Sequence, residues 1–300
     1  MNTRVLWPMW LAVLMLTACS STPRQAAAPR PHAGKISADH WALAAVEAMQ
    51  IKGDAALALA NVQRAVQAEP KRADLTWLWV SLCLRSNGCA PEAIEMRLRK
   101  LDPGNTAVWL APLARAQTDK DMRSEAEILD TIGKGERFDV YWNSLLWRLT
   151  QVRASAAPKD QRLPTTAALN DVAKMLSAVI LPSLQPLANA CSSERVSQSI
   201  VAARCKQVAR VLENGDSYAA EAIGLGIEQR IYPEGSPEGV ALADRIQNLR
   251  YRRDTAAAVI ESQVEREKFS LQYLELLKKL RREQDVTDAI LRWSGEDSAG

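Results

Sequence analysis

Few side chains in this sequence can serve as nucleophiles, acid–base groups or metal ligands. The 300 residues include two histidines, His32 and His40, and five cysteines. Two histidines cannot furnish a His-rich metal site and leave almost no candidate for imidazole acid–base work. His32 lies in a Pro/Ala-rich stretch and His40 follows Asp39 at a predicted helix start, where a surface or capping role is expected. No G-x-S-x-G elbow, S-x-x-K, H-E-x-x-H or phosphate-binding loop occurs. Gly224-Leu225-Gly226 has no strand before it and reads as small residues for close helix packing. Carboxylates are plentiful, yet those the pattern places, such as Glu261, Glu265 and Glu267, fall on polar helix faces. No metal, cofactor or catalytic residue is therefore expected. The alternative is an accessory factor of a cell-wall enzyme or such an enzyme itself, which needs a deep pocket with two carboxylates roughly 5–9 Å apart.

The start of the chain carries the strongest signal. Arg4 precedes an apolar stretch from Val5 to Leu16 that is interrupted by Pro8. It is shorter than the ~20 residues of a membrane span and suits the core of a signal peptide. It runs directly into Leu16-Thr17-Ala18-Cys19. This resembles the lipobox of bacterial lipoproteins. The resemblance implies removal of residues 1–18, lipid (palmitate among its acyl chains) on Cys19, and a protein tied to the membrane through its N-terminus. Several acyl chains, at ~0.8 kcal/mol per buried CH₂, make such an anchor stable. Ser20 instead of Asp after the cysteine favours the outer membrane, with the protein on its periplasmic face. Residues 19–35 hold three prolines and no apolar periodicity, and read as a tether spanning some 40–50 Å at about 3 Å per residue.

With Cys19 assigned to lipid, Cys83, Cys89, Cys191 and Cys205 remain. An even remainder in an exported chain reads as two disulfides. Of the three connectivities, the local pairs Cys83–Cys89 and Cys191–Cys205 are favoured. If 191–205 were a single helix, the second pair would lie ~21 Å apart, far beyond disulfide reach. A turn near Ser192-Ser193-Glu194 is therefore required.

The elements behind these residues read as helices almost throughout. The fold class expected is all-α. Apolar stripes with clear stops place helices at about 36–52, 55–68, 74–84, 91–100, 106–117, 122–132 and 139–154. Trp41, Trp77, Trp109 and Trp142 recur 36, 32 and 33 residues apart. With Ala58, Val62, Ala65, Pro70 and the Leu101-Asp102-Pro103-Gly104-Asn105 turn, this resembles degenerate tetratricopeptide (TPR) repeats over 36–154. The resemblance implies a helical-hairpin solenoid. Residues 155–166 read as a linker. An irregular helical domain is expected over 167–300, with helices near 167–181, 197–213, 216–231 and 237–250. A long charged helix at about 253–293 ends it, with an apolar seam of Ile260, Val264, Leu271, Leu274 and Leu277.

Stacked hairpins expose a concave face built from the first helix of each pair. If the four spaced tryptophans are buried knobs, Leu78, Arg85, Leu110, Gln117, Asn143 and Trp147 fall on that groove by offset. Trp147 lies about 140° around its helix from Trp142, so both cannot enter one core; the same reasoning adds Trp79 beside Trp77. A formal charge of +3 and 24% charged residues do not mark a nucleic-acid binder. The function expected is a non-enzymatic interaction scaffold in the periplasm that binds another envelope protein, with no nucleic acid partner.

Overall fold

The computed structural model describes residues 36–87, 89–156, 162–263 and 265–294. The signal peptide, Cys19, the tether with His32, and Val264 lie outside the described residues. The fold is all-α: fifteen α-helices and no strand occur among the described residues. Helices α1 (Ala38–Gln50) and α2 (Ala55–Ala68) form the first pair, α3 (Ala73–Leu84) and α4 (Glu92–Leu101) the second. A 3₁₀ turn (Thr106–Trp109) leads into α5 (Leu110–Thr118), which pairs with α6 (Met122–Gly133); α7 (Trp142–Ser155) pairs with α8 (Thr165–Ile180).

Local chemistry starts these helices where the sequence indicates. The Asp54 and Asp121 carboxylates accept from the backbone N–H of Leu57 and Ser124 at 2.9 and 3.0 Å. Such caps satisfy N–H groups that a helix start leaves unpaired. Ser37 caps α1 through the N–H of His40, whose exposed ring lies with Nδ1 2.7 Å from the same hydroxyl. Trp41, Trp77 and Trp109 fall at the fourth or fifth residue of their helical stretches, whereas Trp142 is the first residue of α7. The 33-residue step to Trp142 therefore does not repeat the register of the others.

Short helices α9 (Gln185–Ala190) and α10 (Ser193–Val196) provide the turn required before α11 (Ser199–Glu213). Both local disulfides are present, with Cα–Cα separations of 5.3 Å for Cys83–Cys89 and 5.7 Å for Cys191–Cys205. In α12 (Tyr218–Ile231), a Cβ on Gly224 would sit 2.7 Å from the Ala209 carbonyl, so glycine there lets α12 lie close on α11. Gly226 meets nothing within 4 Å and has no such role.

The last segment departs from the reading of one long helix over 253–293. Helix α13 runs Pro237–Gln263, α14 Glu267–Lys279 and α15 Glu283–Ser294. No glycine or proline causes these breaks; tertiary contacts do. The Glu267 carboxylate accepts from the backbone N–H groups of Thr165 and Thr166 at the start of α8. At the second break, Asn143 donates to the carbonyls of Leu280 and Arg281. The single seam dissolves accordingly: Ile260 sits on α13, Leu271 is exposed, and Leu274 and Leu277 are buried on α14.

The chain from Ile36 onward is one compact unit; its main core draws side chains from α1 through α15, and a smaller cluster of Tyr218, Leu225, Leu242 and Leu249 joins α12 to α13. No boundary between two cores falls at 155–166. Helix α8 packs on α1 and α3 as well as α7, α9 packs on α5, and α14 packs on α7. The first helix of every pair is thus covered by the second half of the chain.

Candidate functional site

That packing decides what becomes of the expected groove. Leu78 is fully buried and Asn143 is buried. Arg85, at the C-cap of α3, donates to the carbonyls of Ala178 and Leu181 at 3.1 Å each. Gln117 donates to the Pro186 carbonyl at 2.8 Å and to Glu125 at 3.0 Å. The polar residues expected to meet a ligand thus hold the chain's own second half. Trp147 is half-buried, with the Arg148 guanidinium 4.9 Å and the Lys278 ammonium of α14 5.5 Å from its ring. Trp79 is half-buried in the core, its indole N–H buried without a partner. Neither tryptophan lines an open groove.

Two of the expected residues do meet in an open cleft. Arg85 and Leu110 help line a cavity of about 490 Å³ between α3, the start of α4, α5 and the 181–186 segment. Its walls are mainly apolar. Trp77, Val80 and Leu84 come from one face of α3, spaced three and four residues as helical periodicity requires. Ala107, Ala111 and Ala114 line the opposite side, and Pro91, Pro182 and Pro186 complete it. Arg115 also lines the cleft, but two hydrogen bonds to the buried Glu95 neutralise it, at 2.9 and 2.7 Å. Those bonds raise the Arg115 pKa above its ordinary value. Arg85 differs. Its described partners are all backbone carbonyls, including Ser81 at 3.4 Å, and burial lowers its pKa. The alanines at i, i+4 and i+7 were a legible signal for this site, because small residues at that spacing leave a channel along a helix.

A second constellation has buried carboxylates at its centre. Arg137 contacts Asp102, donates to Asp139 at 2.9 Å and lies 3.7 Å from Asp216. Arg281 donates to Asp216 at 3.0 Å. Tyr141 holds a left-handed backbone (φ 57°) beside this network. Its N–H donates to Asp139 at 2.6 Å, its hydroxyl donates to Asp102, and its ring packs 6.2 Å from that of Trp77. Burial, reinforced by the charge on Asp216, pushes Asp139 up to about 7. Burial raises Asp216 as well, and its Oδ2 has no hydrogen-bond partner. The cavity touching Asp139 measures about 180 Å³. Both side chains are under a tenth exposed and sit between two arginines. This arrangement is suited to joining the loop before α7, the α11–α12 turn and the α14–α15 turn.

Among the described residues no group of three or more His, Cys, Asp or Glu is placed to hold a metal ion. No helix among them is long and apolar enough to cross a membrane. Comparison of the chain with protein-family models, curated proteins and solved structures finds no match.

Proposed function

We propose that the protein is a non-enzymatic lipoprotein of the outer membrane, anchored through lipid on Cys19, whose TPR-like hairpins dock another envelope protein in the periplasm. The observation that carries this reading is the open, apolar-walled cleft between α3 and α5. The lipobox-like Leu16-Thr17-Ala18-Cys19 supports the anchor. The two disulfides suit an oxidising compartment. The alternative of a cell-wall enzyme would use a coupled carboxylate pair, and arginines already bond the carboxylates in both Asp139–Asp216 and Glu213–Glu228.

Two experiments test the proposal. The full chain, tagged at its C-terminus and expressed in a Gram-negative host, is cross-linked in cells and purified beside Ala111→Arg, which places a charge in the half-buried wall of the cleft. A stoichiometric partner is expected with the unaltered chain and at least tenfold less with the variant. An equal yield from both removes the cleft from the function, and no partner at all overturns the scaffold. Separately, Cys19→Ser should move the protein out of the outer-membrane fraction and abolish the mass added to the N-terminal peptide. An unchanged distribution would overturn the lipid anchor.

A further inference from the structure

The cleft lining carries Arg85, Arg115 and Glu92, and of the three only Arg85 has no oppositely charged side chain within ion-pair distance among the described residues. Arg85 has five N–H groups, and the structure accounts for three: Nε to Ala178, Nη1 to Ser81 and Nη2 to Leu181, all carbonyl acceptors. One N–H is left on each terminal nitrogen, and a carboxylate can accept from them. No carboxylate among the described residues bonds to it, although Arg85 is exposed enough to be reached. Arg115, at the same cleft, is already matched by Glu95. A ligand matched to Arg85 therefore brings a carboxylate beside apolar surface and keeps it clear of Glu92.

The walls also restrict the shape of that ligand. Backbone groups of α3 and α5 are committed within their helices, Pro182 and Pro186 offer no N–H, and Ser183 supplies a single one between α8 and α9. An extended peptide would find no ladder to join and would leave its own buried polar groups unpaired. A helix satisfies its backbone internally and can lay apolar residues at i and i+4 into a groove. The channel over Ala111 and Ala114 leaves room for the ridge of such a helix. We infer that the cleft binds an amphipathic helix of a partner protein, with two apolar side chains against the Ala111–Ala114 wall and an Asp or Glu one turn away paired to Arg85. This inference rests on the scaffold reading and names the chemistry of its partner.

Selection from a phage-displayed library of random helix-biased 18-residue peptides, against the disulfide-bonded protein, tests it. Enriched peptides should share an acidic residue at a fixed offset from two apolar residues four apart. A synthetic consensus peptide should lose at least tenfold in affinity when its acid becomes the amide. Arg85→Gln should cost the acidic peptide as much and the amide peptide little, so that the double-mutant cycle shows coupling. Ala111→Arg should abolish binding of both. Because Arg85 also holds α8, thermal melts accompany each variant, and Arg85→Lys, which keeps the charge without the paired donors, provides a second reading with an expected intermediate loss. No enrichment, enrichment without an acidic position, or equal affinity of acid and amide peptides overturns the inference. Saturable binding of oleate that displaces every peptide would assign the cleft to a lipid carboxylate and overturn it too. If peptides fail while a partner is still cross-linked in cells and lost in Ala111→Arg, this inference falls and the scaffold stands.

Discussion

Replacing Arg137 by alanine is expected to destabilise the protein by about 3–5 kcal/mol at pH 8, the range for removing one partner of a buried ion pair. Arg137 is the cation that touches Asp102 and Asp139 and reaches toward Asp216. Arg281 remains in the variant but bonds only Asp216 among these three. Asp102 and Asp139 would be left in a poorly hydrated site without a directly bonded cation. The pH dependence distinguishes this cause from lost packing. Asp139 stands near 7 in the folded protein because of burial and the charge on Asp216, against about 3.9 in an unfolded chain. Between those values the folded state binds the additional proton, so this group adds stability as the pH falls from about 7 to about 4 and withdraws it as the pH rises. Without Arg137 the carboxylates gain more from protonation. The deficit of the variant should therefore shrink at pH 5, while Asp139→Asn should flatten this part of the profile in the unaltered background. Urea unfolding at pH 5 and pH 8 measures both. A deficit below about 1 kcal/mol, or one equal at the two pH values, would show that the network does not hold these loops.

The features legible in the sequence are those set by local chemistry. Asp54 and Asp121 sit one residue before helices whose starts the pattern places at 55 and 122, because an N-cap acts over three residues. The Cys191–Cys205 pair is favoured as a local one, and chain geometry then requires a turn between the two cysteines, which α9 and α10 supply. What failed depends on partners far away in sequence. Nothing near residues 264–266 or 280–282 stops a helix; Glu267 reaching Thr165 and Thr166, and Asn143 reaching Leu280 and Arg281, do so from over 100 residues away. The residues expected on the groove are instructive. Offsets from Trp77, Trp109 and Trp142 did select polar side chains that project from the first helices, and Arg85, Gln117 and Asn143 do present donors to something. That something is backbone of the same chain. Periodicity can show which face of a helix carries donors, but only the tertiary fold decides what occupies it. Asp102, Asp139 and Asp216 lie on three separate turns, and no spacing rule marks them as one network.

Trp77→Ala is expected to cost about 3–5 kcal/mol, the range for truncating a buried tryptophan, and to disturb the cleft at the same time. Trp77 is 3% exposed, and its indole N–H donates to the Ile180 carbonyl at 3.3 Å. Arg85 takes the neighbouring carbonyls of Ala178 and Leu181. A helix end leaves its last carbonyls without intrahelical partners, and here two side chains from α3 and its C-cap supply them for α8. Removing Trp77 therefore takes away core volume, one of these caps and a cleft wall together. Trp77→Phe separates the contributions. It keeps most of the apolar contact, including that toward Tyr141, but cannot donate to Ile180, so a loss of roughly 1–2 kcal/mol is expected from the missing hydrogen bond and smaller volume. Denaturant unfolding of both variants gives the two numbers. If alanine and phenylalanine cost the same, the hydrogen bond and not the packing holds α8 in place. If alanine costs less than about 1 kcal/mol, α8 is held without Trp77. Affinity for the acidic peptide adds the link to function. Phenylalanine should leave the wall and the paired N–H groups of Arg85 in register, whereas alanine should release the end of α8 and with it the acceptors that aim the guanidinium. Binding lost in Trp77→Ala and kept in Trp77→Phe would show that the contacts fastening the second half of the chain also shape the cleft.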